Sequence, residues 1–473
     1  MAFVGDGCLD LQIDSKRAFS IHQRSKSLRV AVLLAALIIR GSVVLLRPDA
    51  LDSDPDAYRA LAESLHATGT FGLIDANGTV TPTAFRPPLY PWLLSWLVDD
   101  TGVLTNRAVG GLHVFLGALT SLITWDIATR LLRSIKLATV AMLLVAVDPI
   151  LLVQSTLVMT ETLAVMLVTL VWWCWVHRIG GRHREEAQRP DVTPTPPTST
   201  AADLIAASLL GIVLTMCILC RPTFLVWTGL LIAAFPWTLG AGQQHRWAMI
   251  VVTVLIIGGG IGAWTARNQV RLGAPVWATS HGGYTLWLGN NESFFDYVDR
   301  SRRWESWLPW NRRPWDATEF LDSHLEDQRR LVDDGQIKTE MDEDAWAYGR
   351  AKQAIENRPA TFAWACLLRV TRLWHPFPMR VPGRALAGVL LVGCFYMVVE
   401  GLVIFAVIRH GWRWKIAWWP AFALVLTLTG VHTAYWSNAR MRSPVTPMFA
   451  VAAMAGLVRR YDETSTIIDQ DAP

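Results

Sequence analysis

Apolar stretches long enough to cross about 30 Å of hydrocarbon recur near residues 28–46, 108–126, 137–154, 159–177, 203–220, 223–239, 247–265, 386–408, 416–433 and 445–458. Runs of this length with few charges predict roughly ten membrane-spanning helices, and hence an all-α polytopic membrane protein. The polar residues between them can be sorted by sign. With the N-terminus in the cytoplasm, alternate connections receive Arg130, Arg133 and Lys136, then Arg178, Arg182, Arg184 and Arg189, then Arg246, then Arg409, Arg413 and Lys415, and finally Arg459 and Arg460. Short cytoplasmic loops concentrate Lys and Arg, so this threading puts the chain across the inner (plasma) membrane with both termini in the cytoplasm.

Two long segments, 47–107 and 266–385, then fall on the outer side. The first holds a helical stretch from about Asp56 to His66 and an RPPLYP turn, and reads as a structured, partly interfacial loop. The second carries Trp277, Trp287, Trp304, Trp307, Trp310 and Trp315. Such rings favour the headgroup layer, so this segment is expected to lie against the membrane. Residues 183–200 are charged, then Pro- and Thr-rich, and suit a flexible cytoplasmic linker. The chain thus divides into a cytoplasmic tail (1–27), a transmembrane core (28–265, including loop 47–107), the outer segment 266–385, C-terminal spans (386–460) and a cytoplasmic tail (461–473).

Composition agrees with a bilayer solvent: of 473 residues 52% are hydrophobic and only 17% charged. The net charge of +4 is scattered among apolar runs, which speaks against a nucleic-acid partner. Lys16, Arg17, Arg24, Lys26 and Arg29 resemble the start of a signal peptide, but the apolar run after them continues without a small-residue cleavage site, so a retained first helix is expected. The six cysteines give no disulfide framework. Cys217 and Cys220 form a CxxC inside an apolar run, and Gly258, Gly259, Gly260 and Gly262 lie in another with no strand before them; both patterns suit close helix packing. Arg40 and Asp126, single charges within spans, read as buried polar contacts or anchors. Neither HExxH nor a Cys/His cluster is present, and the DxD-like run is too short a signal to assert a metal or other cofactor.

Candidate chemistry gathers on the outer side. Directly after the first span comes Leu51-Asp52-Ser53-Asp54-Pro55-Asp56-Ala57-Tyr58. Three carboxylates there can be a helix-capping acidic turn or a reactive site. Glu161 in Met-Thr-Glu-Thr, Arg221-Pro222, Arg267-Asn268, and Arg440 with Arg442 fall at the outer ends of other helices. Each alone can be a headgroup anchor, but the threading sends all of them to one face.

Asp54-Pro-Asp-Ala-Tyr58, followed by Ala62, Gly69, Phe71 and Phe85-Arg-Pro-Pro-Leu-Tyr-Pro91, resembles the first outer loop of the protein O-mannosyltransferase and lipid A aminoarabinose transferase superfamily, glycosyltransferases of the GT-C fold. Thr160-Glu161-Thr162-Leu163, Arg221-Pro222-Thr223, Trp264-Thr-Ala-Arg267-Asn268 leading through Gly273 to Gly283, Leu288, Gly289 and Asn290, and Arg440-Met-Arg442-Ser-Pro-Val-Thr-Pro447 follow in family order. The resemblance implies a polyprenyl-phosphate sugar donor with its tail among the membrane lipids and its sugar outside, and an aspartate of the first loop as general base. By position relative to Tyr58 that aspartate is Asp54, with Asp56 as its competitor. Arg86 stands where related transferases carry a basic residue near the lipid phosphate. Arg267, Arg221, Arg440 and Arg442 are further cations for it, Tyr58 joins the substrate-binding set, and Glu161 supports the site or caps its helix. The acceptor stays open among protein, lipid and glycan. A lipid or solute transporter is the rival class, although transporters place binding residues near the midplane on broken helices, often in repeated halves.

Overall fold

In the computed structural model the backbone is described for residues 7–188, 200–238, 243–300, 318–378, 385–411 and 416–458. Most of the linker, together with Arg189, Trp304, Trp307, Trp310, Trp315, Arg413, Lys415, Arg459 and Arg460, lies outside the described residues, as do the side chains of Arg178, Arg182 and Arg184.

Six described helices are long and apolar enough to cross a membrane: Ser27–Leu46, Asn106–Leu132, Asp203–Cys220, Arg246–Leu272, Leu386–His410 and Ile416–Ala434. Ile135–Ala146, Glu161–His177 and Phe224–Pro236 are shorter apolar helices, and Thr446–Ala455 completes the bundle. The apolar run 137–154 is broken in two. Asp148 accepts the Leu151 N–H at 2.9 Å and Pro149 opens a new helix, Pro149–Gln154, a capping arrangement that ends one helix and starts the next.

Small residues set the closest approach of the spans. A side chain at Gly260 would collide with Thr215 on the facing helix, whereas Gly258, Gly259 and Gly262 look into open space. Of the four glycines in that run, one therefore makes the contact. Cys217 and Cys220 are buried and unpaired with each other. Asp126 accepts the Trp173 indole N–H at 2.8 Å and lies 2.9 Å from His177 Nε2.

At the end of the bundle that the threading assigns to the cytoplasm, indole N–H groups fasten the turn Ile416–Trp418 and the start of the helix after it. Trp172 donates to the Ala417 carbonyl at 3.0 Å, Trp175 to Ile416 at 2.9 Å and Trp227 to Pro420 at 2.9 Å. The three indole N–H groups thereby find acceptors within the bundle.

Segment 47–107, expected on the outer side, forms the helix Tyr58–Thr68, an antiparallel hairpin of Gly72–Ile74 with Val80–Pro82 in the register Gly72↔Pro82, and the helix Leu89–Ser95. The helix starts two residues later than expected, because residues 54–57 are used to cap it. The hairpin turn is built by Asp75, whose carboxylate accepts the Asn77 and Thr79 N–H groups at 2.9 and 2.8 Å, and by Gly78 at φ +80°, a conformation glycine adopts without steric cost.

Segment 266–385, likewise expected outside, contains among its described residues the helices Gly282–Gly289, Glu292–Arg300, Thr318–Asp333, Glu340–Asn357 and Pro359–Trp374. Trp277 is exposed, but Trp287 is buried against Ala347 and Ala351. For Trp287 the headgroup expectation therefore gives way to a core role between two helices. The segment is locked to the bundle by Arg369, whose guanidinium donates to the carbonyls of Thr433, Ala434 and Gly289 and to Asn290 Oδ1 at 2.6 to 3.1 Å.

Candidate active site

The Asp52–Tyr58 turn separates its three aspartates into three environments. Asp52 is exposed and accepts the Asn106 side-chain N–H at 2.5 Å, while Arg59 donates to Asn106 Oδ1 and to the Leu51 carbonyl. Asp54 reaches the first turn of the following helix: its Oδ1 accepts the Tyr58 N–H at 2.9 Å, and its Oδ2 the N–H groups of Arg59 and Ala60 at 2.9 and 3.3 Å. Ala57 makes this possible by adopting φ +55°, a left-handed conformation that is costly for a residue with a Cβ and tends to be held at functional turns. Burial raises the Asp54 pKa above the usual carboxylate value, outweighing the three N–H contacts that favour its charge. Asp56 is ion-paired instead: Arg86 Nη2 lies 2.6 Å from its Oδ1, and Arg86 Nε donates to its backbone carbonyl.

Below this turn, Tyr58 is buried edge-on against Tyr90, ring centroids 5.2 Å apart. The Tyr90 hydroxyl lies 2.8 Å from His113 Nε2, and His113 Nδ1 lies 3.0 Å from the Ser155 carbonyl. A carbonyl can only accept, so Nδ1 carries the proton and Tyr90 donates to Nε2. The chain of contacts fixes the Tyr58 ring and runs from the turn to the stretch leading into Glu161.

Glu161 opens its helix and is only 1% exposed, yet neither carboxylate oxygen makes a hydrogen bond. Its Oε1 lies 3.6 Å from Arg221 Nη1 and 3.4 Å from Arg440 Nε. The three residues come from three elements: the start of the helix Glu161–Gln188, the residue after Thr200–Cys220, and the 3₁₀ turn Ala439–Val445. Arg86 lies 5.9 Å from the centre of the Tyr58 ring, and the charges of Arg86, Asp56, Glu161 and Arg221 all act on its phenol, so the aspartate turn and the Glu161 group lie within electrostatic reach of one side chain.

The other two predicted arginines are placed differently. Arg267 donates to the Thr83 carbonyl and Asn268 Oδ1 at 2.8 Å and to the Phe71 carbonyl, and faces the Phe71 and Trp264 rings. It ties the first outer loop to the end of a span. Arg442 is buried, donates to Glu400 at 2.7 Å and lies 4.6 Å from the centre of the Tyr396 ring. Tyr396 donates to Asp148, 2.8 and 2.9 Å from its two oxygens. Arg442 therefore belongs to a buried polar chain that braces the turn carrying Arg440.

Several groups near the site were not singled out from sequence. His281 and Tyr284 of the second outer segment lie beside Phe85 and Arg86. Glu340 accepts the Thr83 hydroxyl and the Ala84 N–H at 2.5 and 2.9 Å, fastening that segment to the first loop. No sequence periodicity marks these residues, because their role arises only when two distant segments meet, as at Thr83 and Glu340, 257 positions apart. Among the described residues no group of three or more His, Cys, Asp or Glu is arranged to hold a metal ion.

No protein-family model matches the chain, and no curated protein sequence matches it. Solved structures do. The Archaeoglobus fulgidus oligosaccharyltransferase, tethered to an acceptor peptide containing the NVT sequon, superposes with a TM-score of 0.50 at 14% identity over 91% of this chain and 49% of its own. The archaeal oligosaccharyltransferase AglB from the same organism, in complex with an inhibitory peptide and a dolichol-phosphate, gives 0.49 at 14% over 91% and 50%. ArnT from Cupriavidus metallidurans, bound to undecaprenyl phosphate, gives 0.39 at 14% over 90% and 76%. The chain spans about half the length of the oligosaccharyltransferases. The fold is thus the expected one: an all-α, multi-pass membrane protein of the GT-C type.

Proposed function

We propose that the chain is a membrane glycosyltransferase that moves a hexosyl or pentosyl group from a polyprenyl-phosphate carrier to an acceptor on the outer face of the plasma membrane, with inversion and with Asp54 as general base. The observation that carries this reading is the meeting, around Tyr58, of a rigidly held carboxylate turn with a buried carboxylate between two arginines.

An acceptor hydroxyl becomes an effective nucleophile when a carboxylate removes its proton, and a raised pKa makes Asp54 a stronger base than an ordinary aspartate. Asp56, in contact with Arg86, is held as a charge partner. As the acceptor oxygen bonds to the anomeric carbon from the face opposite the phosphate, the carbon–phosphate-oxygen bond breaks and its electron pair leaves with the carrier phosphate. That group departs as a stable anion and needs cations rather than an acid. Arg267 has its donors engaged with carbonyls and Asn268, whereas Arg221 and Arg440 approach Glu161 without hydrogen-bonding it. They are the cations we assign to the carrier phosphate.

The test is release of polyprenyl phosphate from a panel of polyprenyl-phosphate sugars by purified protein with acceptors supplied. Loss of turnover with Asp54→Asn alone supports the assignment. Loss with Asp56→Asn alone moves the base by two residues, and turnover in both variants removes it. A wild-type chain inactive on every donor would direct attention to lipid or solute transport.

A further inference from the structure

We propose that Phe85, His281 and Tyr284 form a carbohydrate-ring subsite beside the Asp56–Arg86 pair. The Phe85 and His281 rings meet at 4.3 Å and 64°, and His281 and Tyr284 stack at 4.5 Å and 26°. Arg86 lies 4.2 Å from the centre of the Phe85 ring. Nearby aromatic residues of the same outer segment, Trp287, Phe294 and Phe295, are buried in its own core; these three remain partly exposed.

The chemistry around the rings is what a sugar requires. A sugar presents a face of C–H groups, which suits the negative face of an aromatic ring, and a rim of hydroxyls, which needs a few well-placed polar partners. Asp56, Arg86 and Glu343 supply them: each is near enough for its charge to act on the Tyr284 hydroxyl. A purely apolar chain would gain nothing from this charged rim.

The subsite is also held in shape. The Ser280 N–H donates to the Ala84 carbonyl at 3.0 Å, and Asp344 accepts the Gly283 N–H at 2.6 Å. Together with the Glu340 contacts to Thr83 and Ala84, these bonds fix the rings from both outer segments, and little ordering is left for a ligand to impose. The inference rests on the transferase reading, and the ring can belong to the lipid-linked donor or to an acceptor glycan.

The experiment uses full-length protein in lipid nanodiscs. One arm follows soluble hexose and pentose oligosaccharides by saturation-transfer NMR; the other compares affinity for a polyprenyl-phosphate sugar with that for bare polyprenyl phosphate. Tyr284→Ala is expected to weaken one of the sugar-dependent affinities about tenfold, with bare-carrier binding kept and Tyr284→Trp close to wild type. Loss in the oligosaccharide arm assigns the ring to the acceptor, and loss in the lipid arm to the donor. No change in either arm, or an equal fall for the bare carrier, overturns the subsite. A wild-type chain that binds sugar through Tyr284 but transfers none leaves the subsite standing and removes the transferase reading.

Discussion

Glu161 Oε1 and Arg440 Nε lie 3.4 Å apart, and neither atom makes a hydrogen bond. Arg221 approaches the same oxygen from another helix end. Two arginines thus stand beside a buried carboxylate by charge alone; Arg221 commits one N–H to the Met441 sulfur at 3.2 Å, and neither arginine hydrogen-bonds Glu161.

Arg440→Ala is therefore expected to raise the KM for lipid-linked donor by roughly tenfold or more. Steady-state kinetics with varied donor would show it, and Arg440→Lys should recover only part, because a point charge lacks the guanidinium fork.

Asp54→Asn should lower kcat by at least about a hundredfold, within the range for removing a general base. A base acts only when deprotonated. Because burial raises the Asp54 pKa above its ordinary 3.8, activity should fall, as pH is lowered, at a higher pH than for an ordinary aspartate. A profile of kcat/KM against pH reads this limb directly, and an acid limb at or below the ordinary value would contradict it.

Tyr396→Phe deletes the hydroxyl that bonds Asp148 and accepts the Ile150 N–H, with almost no change of volume. A buried carboxylate loses a partner, at a cost of about 1–3 kcal/mol. Thermal unfolding in detergent should report the loss. Phe keeps the ring on which Arg442 packs, so donor KM and kcat should both stay near wild type.

Arg369→Ala leaves the carbonyls of Gly289, Thr433 and Ala434 without their cationic partner. Faster hydrogen exchange over the helix Gly282–Gly289 and the end of Ile416–Ala434 is the expected signature. Unchanged protection there would show that Asn290 and its neighbours suffice.

Much of this architecture was readable from the chain. Long apolar runs have one stable solution in a bilayer, so the six long spans fall where the pattern placed them. The convergence of Glu161, Arg221 and Arg440 was foreshadowed by their positions at helix ends of one face. The break at Asp148-Pro149 is also a local signal, a cap followed by proline, hidden within an apolar run. Arg267 and Arg442 show the limit of such reading. Both carry the charge of an anion-binding cation, yet Arg267 donates to the carbonyls flanking the hairpin, at Phe71 and Thr83, and Arg442 is ion-paired with Glu400. Which acceptor an arginine meets depends on chain brought back from far away, and residue type alone does not encode it. His281, Tyr284 and Arg369 escaped notice for the same reason.

If the chain carries out the proposed transfer, the Glu161 group also sets its tempo. Before transfer the carrier phosphate is a diester with one negative charge; afterwards it is a monoester with close to two. Two arginines against one glutamate leave an excess of one positive charge, which matches the loaded carrier and attracts the spent one more strongly. The arrangement that draws electrons toward the leaving group therefore also grips what has left, and departure of the empty lipid is expected to set the turnover rate.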